Sequence, residues 1–181
     1  MRERTLALSE DLHRSIWSHL TGPSLVEEAG FVFANEPNGD PGYAGFRGTA
    51  WLPVPPEGFA VQSSLYFELT DEFRARVIRE SHRRGQCIVE FHSHTGMWPA
   101  AFSVSDMHGL SEFVPHVMWR LKRPYAAVVV AGDTFDGLLW WPPGSRGPSR
   151  LEGISVGGEF MRSTRLTRIE AFGGRSHEQQ V

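Results

Sequence analysis

Residues 86 to 106, QCIVEFHSHTGMWPAAFSVSD, put a strand, two histidines and a helix start into one short stretch. No other stretch narrows so sharply what the chain can become. CIVEFHSH has the length and the apolar, β-branched composition of a strand, and the segment from Ser103 reads as a helix start. Side chains at i and i+2 of a strand share a face, so His92 and His94 project together at a separation that lets two imidazoles hold one ion. Asp106, in Ser103-Val-Ser-Asp106, is a candidate third ligand, because a connection of this length can fold the first helical turn back to the strand end. Two imidazoles and a carboxylate leave a fourth position on a tetrahedral zinc for water, as catalytic sites do. The same residues also read as a plain helix cap, with Ser103 capping and Asp106 answering the helix dipole. On this stretch alone both readings stand.

At 181 residues the chain is long enough to bury a core without disulfide or structural metal. It is expected to form one domain over 1–172, with the Gly-Gly-Arg-Ser tail at 173–181 disordered. Any metal here is therefore expected to be catalytic. Hydrophobic residues make up 40% and charged residues 22%, with a net charge of −3, so no electrostatic bias points to nucleic acid or a membrane surface. The single cysteine, Cys87, can form neither an intrachain disulfide nor a thiolate zinc cluster, and reads as a buried core thiol. MRERTLALSEDLHRS has no apolar run long enough for a signal peptide and no later segment approaches membrane-spanning length, which gives a cytoplasmic expectation.

Ser9 caps a first helix with Ile16 and Leu20 at helical spacing, stopped by Gly22-Pro23. Residues 25–34 read as a strand entered through Glu27 and Glu28, and 35–42 as a turn-rich loop. Residues 43–54 and 59–69 read as two strands of a meander. Thr70 caps a second helix that ends at Gly85. The helix from Ser103 is expected to kink or split at Pro115. YAAVVVA and FDGLLWW form a hairpin across Gly132-Asp133, 142–150 is a loop, and RLTRIEAF is a last strand. The expected class is α+β, with a mostly antiparallel central sheet flanked by helices.

The stretch from His92 to Asp106 resembles the metal-binding signature of the JAMM metalloproteases, the JAB/MPN family, in which His-Ser-His precedes Ser-x-x-Asp. Glu27-Glu28-Ala29-Gly30, ahead of an apolar strand, resembles the family's Glu-x-x-Gly. The likeness spans roughly residues 9 to 141, in matching element order. Thr95 stands where the family usually has proline, and the loop to Asp106 is one residue longer than usual. The resemblance implies a JAB/MPN, cytidine-deaminase-like architecture, with His92, His94 and Asp106 as Zn2+ ligands, Glu27 as general acid/base and Ser103 as a hydrogen-bond donor near the metal. It further implies a zinc-dependent isopeptidase or peptidase that cleaves after the C-terminal tail of a ubiquitin-like protein by Glu-assisted attack of zinc-activated water. A stand-alone prokaryotic member of this kind is expected to act beside activating or conjugating enzymes of the same pathway.

Two other classes are weighed against this: a non-catalytic scaffold or ubiquitin-like-binding module of the same family, and a non-haem iron site for oxygen chemistry. Glu28 is the rival base, though adjacent extended residues face opposite ways and only Glu27 keeps the family's spacing to Gly30. Glu90 reads as a solvent-exposed strand acid before it reads as a partner of His92. His13, His19, His82, His108, His116 and His177 lack a partner at ligand spacing. Met97 and Trp98 are candidates to meet substrate, whereas Trp51 reads first as core, and at least one of Trp140 and Trp141 should be core.

Overall fold

The computed structural model describes residues 4–37, 45–96, 99–142 and 147–169. In chain order the elements are β1 (Thr5–Leu8), α1 (Glu10–Leu20), β2 (Ala29–Asn35), β3 (Phe46–Pro53), β4 (Phe59–Gln62), β5 (Phe67–Leu69), α2 (Asp71–Arg84), β6 (Cys87–Ser93), α3 (Val104–Leu121), β7 (Tyr125–Ala131), β8 (Thr134–Trp140), β9 (Ser149–Arg150), β10 (Gly153–Val156) and β11 (Glu159–Arg162). Nine strands form one sheet in the order β11-β10-β1-β3-β2-β6-β7-β8-β9, while β4 and β5 form a separate hairpin.

The chain is α+β, but the expectation of a mostly antiparallel sheet with the JAB/MPN, cytidine-deaminase-like layout is overturned. The large sheet is mixed: β1 runs parallel to both β10 and β3, and β6 runs parallel to β7. A physical cause for the β6–β7 pair is plain, since α3 carries the chain back across the sheet before β7 begins. The other two parallel pairs depend on β1 and β10, four-residue strands that the sequence reading passed over. Nor do residues 165–169 of RLTRIEAF form a strand, and β4–β5 replaces the single strand expected at 59–69. The expected tail at 173–181 lies outside the described residues.

Helix ends follow their chemistry. Ser9 Oγ accepts from Leu12 N at 3.2 Å and Thr70 Oγ1 accepts from Phe73 N at 3.2 Å. Gly85 closes α2 with φ 64°, a conformation that favours glycine. Pro115 does not split α3. Both it and Ser111, whose carbonyl loses its helical partner, are exposed, so water can satisfy that oxygen.

Two cores form, one on each face of the sheet. Phe31, Phe33, Ile88, Tyr125 and Val129 pack with Phe73 and Val77 of α2 and Leu110, Val114 and Val117 of α3. On the other face Val32, Val89, Phe91 and Val128 pack with Ile16 and Leu20 of α1. Cys87 belongs to this second core, as its apolar setting implied, and Trp140 and Trp141 pack against opposite cores. Among the described residues no helix is long and apolar enough to cross a membrane.

Candidate metal centre

β6 delivers the two histidines by strand geometry. Ile88, Glu90 and His92 alternate onto the face covered by α2 and α3, and His92 is only 1% exposed. His94 lies past the last residue of β6, yet its N–H donates to Val130 O at 2.8 Å. Pairing with β7 thus continues far enough to hold the second ring beside the first, with centroids 5.2 Å apart.

Asp106 arrives from the first turn of α3. Ser103 Oγ accepts from Asp106 N at 3.1 Å and Ser103 N donates to Asp106 Oδ2 at 2.6 Å, a reciprocal capping box. The same Oδ2 lies 3.1 Å from His94 Nε2, and Oδ1 lies 3.6 Å from His92 Nε2. The cap and the ligand set are therefore one arrangement, because the cap aims the carboxylate at the imidazoles. Ser103 is exposed at the helix start, with its oxygen engaged as the cap acceptor and its proton unused in that bond.

Candidate ligand atoms of His92, His94 and Asp106 all lie within 4.8 Å of one another. Donors about 2.0–2.1 Å from a tetrahedral zinc sit about 3.3 Å apart. The 3.1 and 3.6 Å separations bracket that spacing. Both ring nitrogens of His92 and Oε2 of Glu27 are buried without a hydrogen-bond partner among the described residues. Such orphaned atoms cost about 1–3 kcal/mol each. The donor set and the unpartnered His92 Nε2 fit a divalent cation coordinated by imidazole nitrogen and carboxylate oxygen.

Glu27 is 4% exposed and held by its backbone, with its N–H on Ser63 O at 2.8 Å and its carbonyl accepting from Gln62 Nε2 at 2.8 Å. Its Oε1 lies 3.9 Å from His94 Nε2. Glu28 instead points its Oε2 toward Gln62 Nε2, 3.3 Å away, and His19 Nε2, 3.9 Å away. The opposed directions follow from extended backbone. Ser93, between the two histidines, was not anticipated as part of the site. Its Oγ accepts from Glu28 N at 2.9 Å while its N–H donates to Glu28 O at 2.9 Å, which staples the glutamate segment to the end of β6. Thr95, in the position of the resembling family's proline, donates through Oγ1 to Ser64 O at 2.9 Å and ties the loop to the β4–β5 turn.

The electrostatics of the cluster are set by burial and mutual charge. Burial raises the Glu27 carboxyl above its ordinary range, against the opposing pull of His94 and His92. Burial also works to lower His92, but Asp106 beside it outweighs that and its pKa is raised. For Asp106 burial raises the pKa, yet the two imidazoles dominate and hold it well below the usual carboxylate range.

Glu90 departs from the expected solvent-exposed strand acid. It is buried, not solvent-facing, accepts a hydrogen bond from Tyr125 Oη, and places Oε1 4.0 Å from His92 Nδ1. Burial raises its pKa most. The signal that could have marked it is an acid two residues before His92 in an otherwise apolar strand.

A cleft of about 950 Å³ lies between β5, α2 and α3 and has His92, Glu90 and Asp106 in its wall, with the Phe67 ring beside His92, centroids 5.5 Å apart, and Arg74 and Phe113 also lining it. Among the other described histidines, His108 pairs with Glu112 at 3.6 Å and lines the cleft with His116, His19 reaches Ala29 O at 3.1 Å, and His13 stacks near Trp17. Trp51 packs by its edge toward Phe91 and His19. Met97, Trp98 and His177 lie outside the described residues.

No family model and no curated protein matches the chain. Among solved structures, the solution structure of protein DSY2949 from Desulfitobacterium hafniense is similar over 85% of this chain and 94% of that one, with a TM-score of 0.55 and 15% identity. A likeness at that identity speaks to the fold alone.

Proposed function

We propose that the chain is a zinc-dependent isopeptidase or peptidase, with His92, His94 and Asp106 as ligands and Glu27 as the general acid/base. The observation that carries this reading is the convergence of three candidate ligands with a buried carboxylate whose Oε2 has no hydrogen-bond partner among the described residues. When bound, zinc supplies a Lewis acid that brings the pKa of a coordinated water to about 7 and polarises a carbonyl. Glu27 does the proton work. Its raised pKa suits a group that accepts a proton at Oε2 and returns it to the departing nitrogen. Glu28, engaged with Gln62, lies on the wrong side for that role.

The substrate class, the C-terminal tail of a ubiquitin-like protein, rests on the JAMM resemblance of His92-Ser93-His94, Ser103-x-x-Asp106 and Glu27-x-x-Gly30. The cleft supports it by placing open space beside His92 and Asp106. The test is hydrolysis of ubiquitin-like proteins carrying a C-terminal fluorogenic amide, by zinc-loaded protein. Glu27→Gln is expected to lower kcat by about 10²–10⁴-fold with zinc still bound. Full activity in Glu27→Gln, with loss in Glu28→Gln, would reverse the assignment of the base.

A further inference from the structure

We propose that Thr167 and Asp136 are positioning residues for the metal centre, acting through a hydrogen-bond relay that seats the loop between His94 and Asp106. The inference rests on the metal reading above. Asp136 is a fully buried acid in the middle of β8. It accepts from Gly137 N at 2.9 Å, Ser163 Oγ at 2.6 Å, Thr167 N at 2.9 Å and Thr167 Oγ1 at 2.6 Å. Charge-assisted bonds of this kind are the strong ones, and the two to Oδ2 fix the Thr167 hydroxyl with its proton committed to Asp136.

That commitment leaves the Thr167 oxygen lone pairs facing the site loop, where they accept from Phe102 N at 2.9 Å. Phe102 immediately precedes Ser103, the cap of α3. Two more bonds hold Ala100: its N–H donates to Thr134 Oγ1 at 2.9 Å, and its carbonyl accepts from Thr164 Oγ1 at 2.6 Å. The backbone ahead of the cap is thus anchored from β8 and from the 163–167 segment, and the cap in turn aims Asp106. Without the Thr167 hydroxyl, the buried Phe102 N–H loses its acceptor and Asp106 loses the rigidity of its seat. Groups hydrogen-bonded directly to a metal ligand commonly affect metal affinity by about 10–100-fold, and Thr167, which acts through the Phe102–Ser103 backbone, belongs at the low end of that range.

The experiment is titration of metal-free protein with cobalt(II), read by visible absorption, alongside urea unfolding of each variant. Thr167→Val keeps the shape and removes the relay; it should bind cobalt(II) about tenfold more weakly and shift the ligand-field spectrum. Thr167→Ser restores the hydroxyl and should restore both affinity and spectrum. Ser163→Ala removes a donor to the other Asp136 oxygen, outside the relay, and should lower stability without moving the spectrum. Thr134→Val supplies a second cut, at Ala100, should Thr167→Val not fold, and is expected to weaken cobalt(II) binding as well. Wild-type affinity in Thr167→Val, or an equal loss in Ser163→Ala, overturns the relay while leaving the metal site standing. A wild-type protein that takes up no cobalt(II) or zinc overturns the metal reading and the relay together.

Discussion

At Cys87 the residue scale is simplest. The thiol donates to Ala34 O at 3.2 Å inside the core beside α1, and burial pushes its pKa up to about 12 from 9.0. In the unfolded chain the thiol ionises first, so the folded state binds more protons between about 9 and about 12 and stability falls as pH rises through that window. Native protein at pH near 8 should therefore resist a thiol reagent such as DTNB, while denatured protein yields one reactive thiol per chain. Rapid native labelling would show that this core is not as closed as described. Glu27 and Glu28 make the opposite case, since extended backbone already separates them and the family spacing to Gly30 already favoured the first. Glu90 escaped because the Tyr125 hydroxyl that partners it lies in another strand.

At the scale of elements, the pairing of Ala29 with His92 brings the start of β2, and Glu27 ahead of it, to the end of β6, while Gly30 makes room for packing on the opposite face of the sheet. A Cβ on Gly30 would overlap the indole of Trp51, which crosses β2 from β3. Gly30→Ala should cost about 1–3 kcal/mol by overpacking. Gly109→Ala, where an added Cβ meets nothing within 4 Å in the exposed middle of α3, should gain about 0.5–1 kcal/mol. Urea midpoints of the two variants check both signs; a neutral Gly30→Ala would mean Trp51 moves away freely. Helix caps at Ser9, Thr70 and Ser103 were legible because capping is local chemistry. The Ser103-Asp106 segment was ambiguous in the sequence between cap and ligand because one carboxylate serves both roles.

For the whole molecule, much of the sheet was not legible. Parallel pairing of β1 with β10 joins residues at opposite ends of the chain, and strands of four residues carry too little alternation to announce themselves. The hairpin of β7 and β8 was readable, being local. The Asp136 relay was not, because its side-chain donors, Ser163 and Thr167, come from a segment that lies far along the chain and forms no strand. What survives this unevenness is the convergence: segments near residues 27, 92 and 106 meet at the end of β6, with His92 and Asp106 also in the wall of the cleft between α2 and α3.

That convergence is tested most directly by the metal content of purified protein, measured by mass spectrometry for wild type beside the His92→Ala/His94→Ala double variant. The account predicts about one zinc per wild-type chain and none in the double variant, with zinc raising the unfolding temperature of the wild type alone, as ligand binding to the folded state must. A wild-type chain that carries no metal and takes up none on addition of zinc would contradict it.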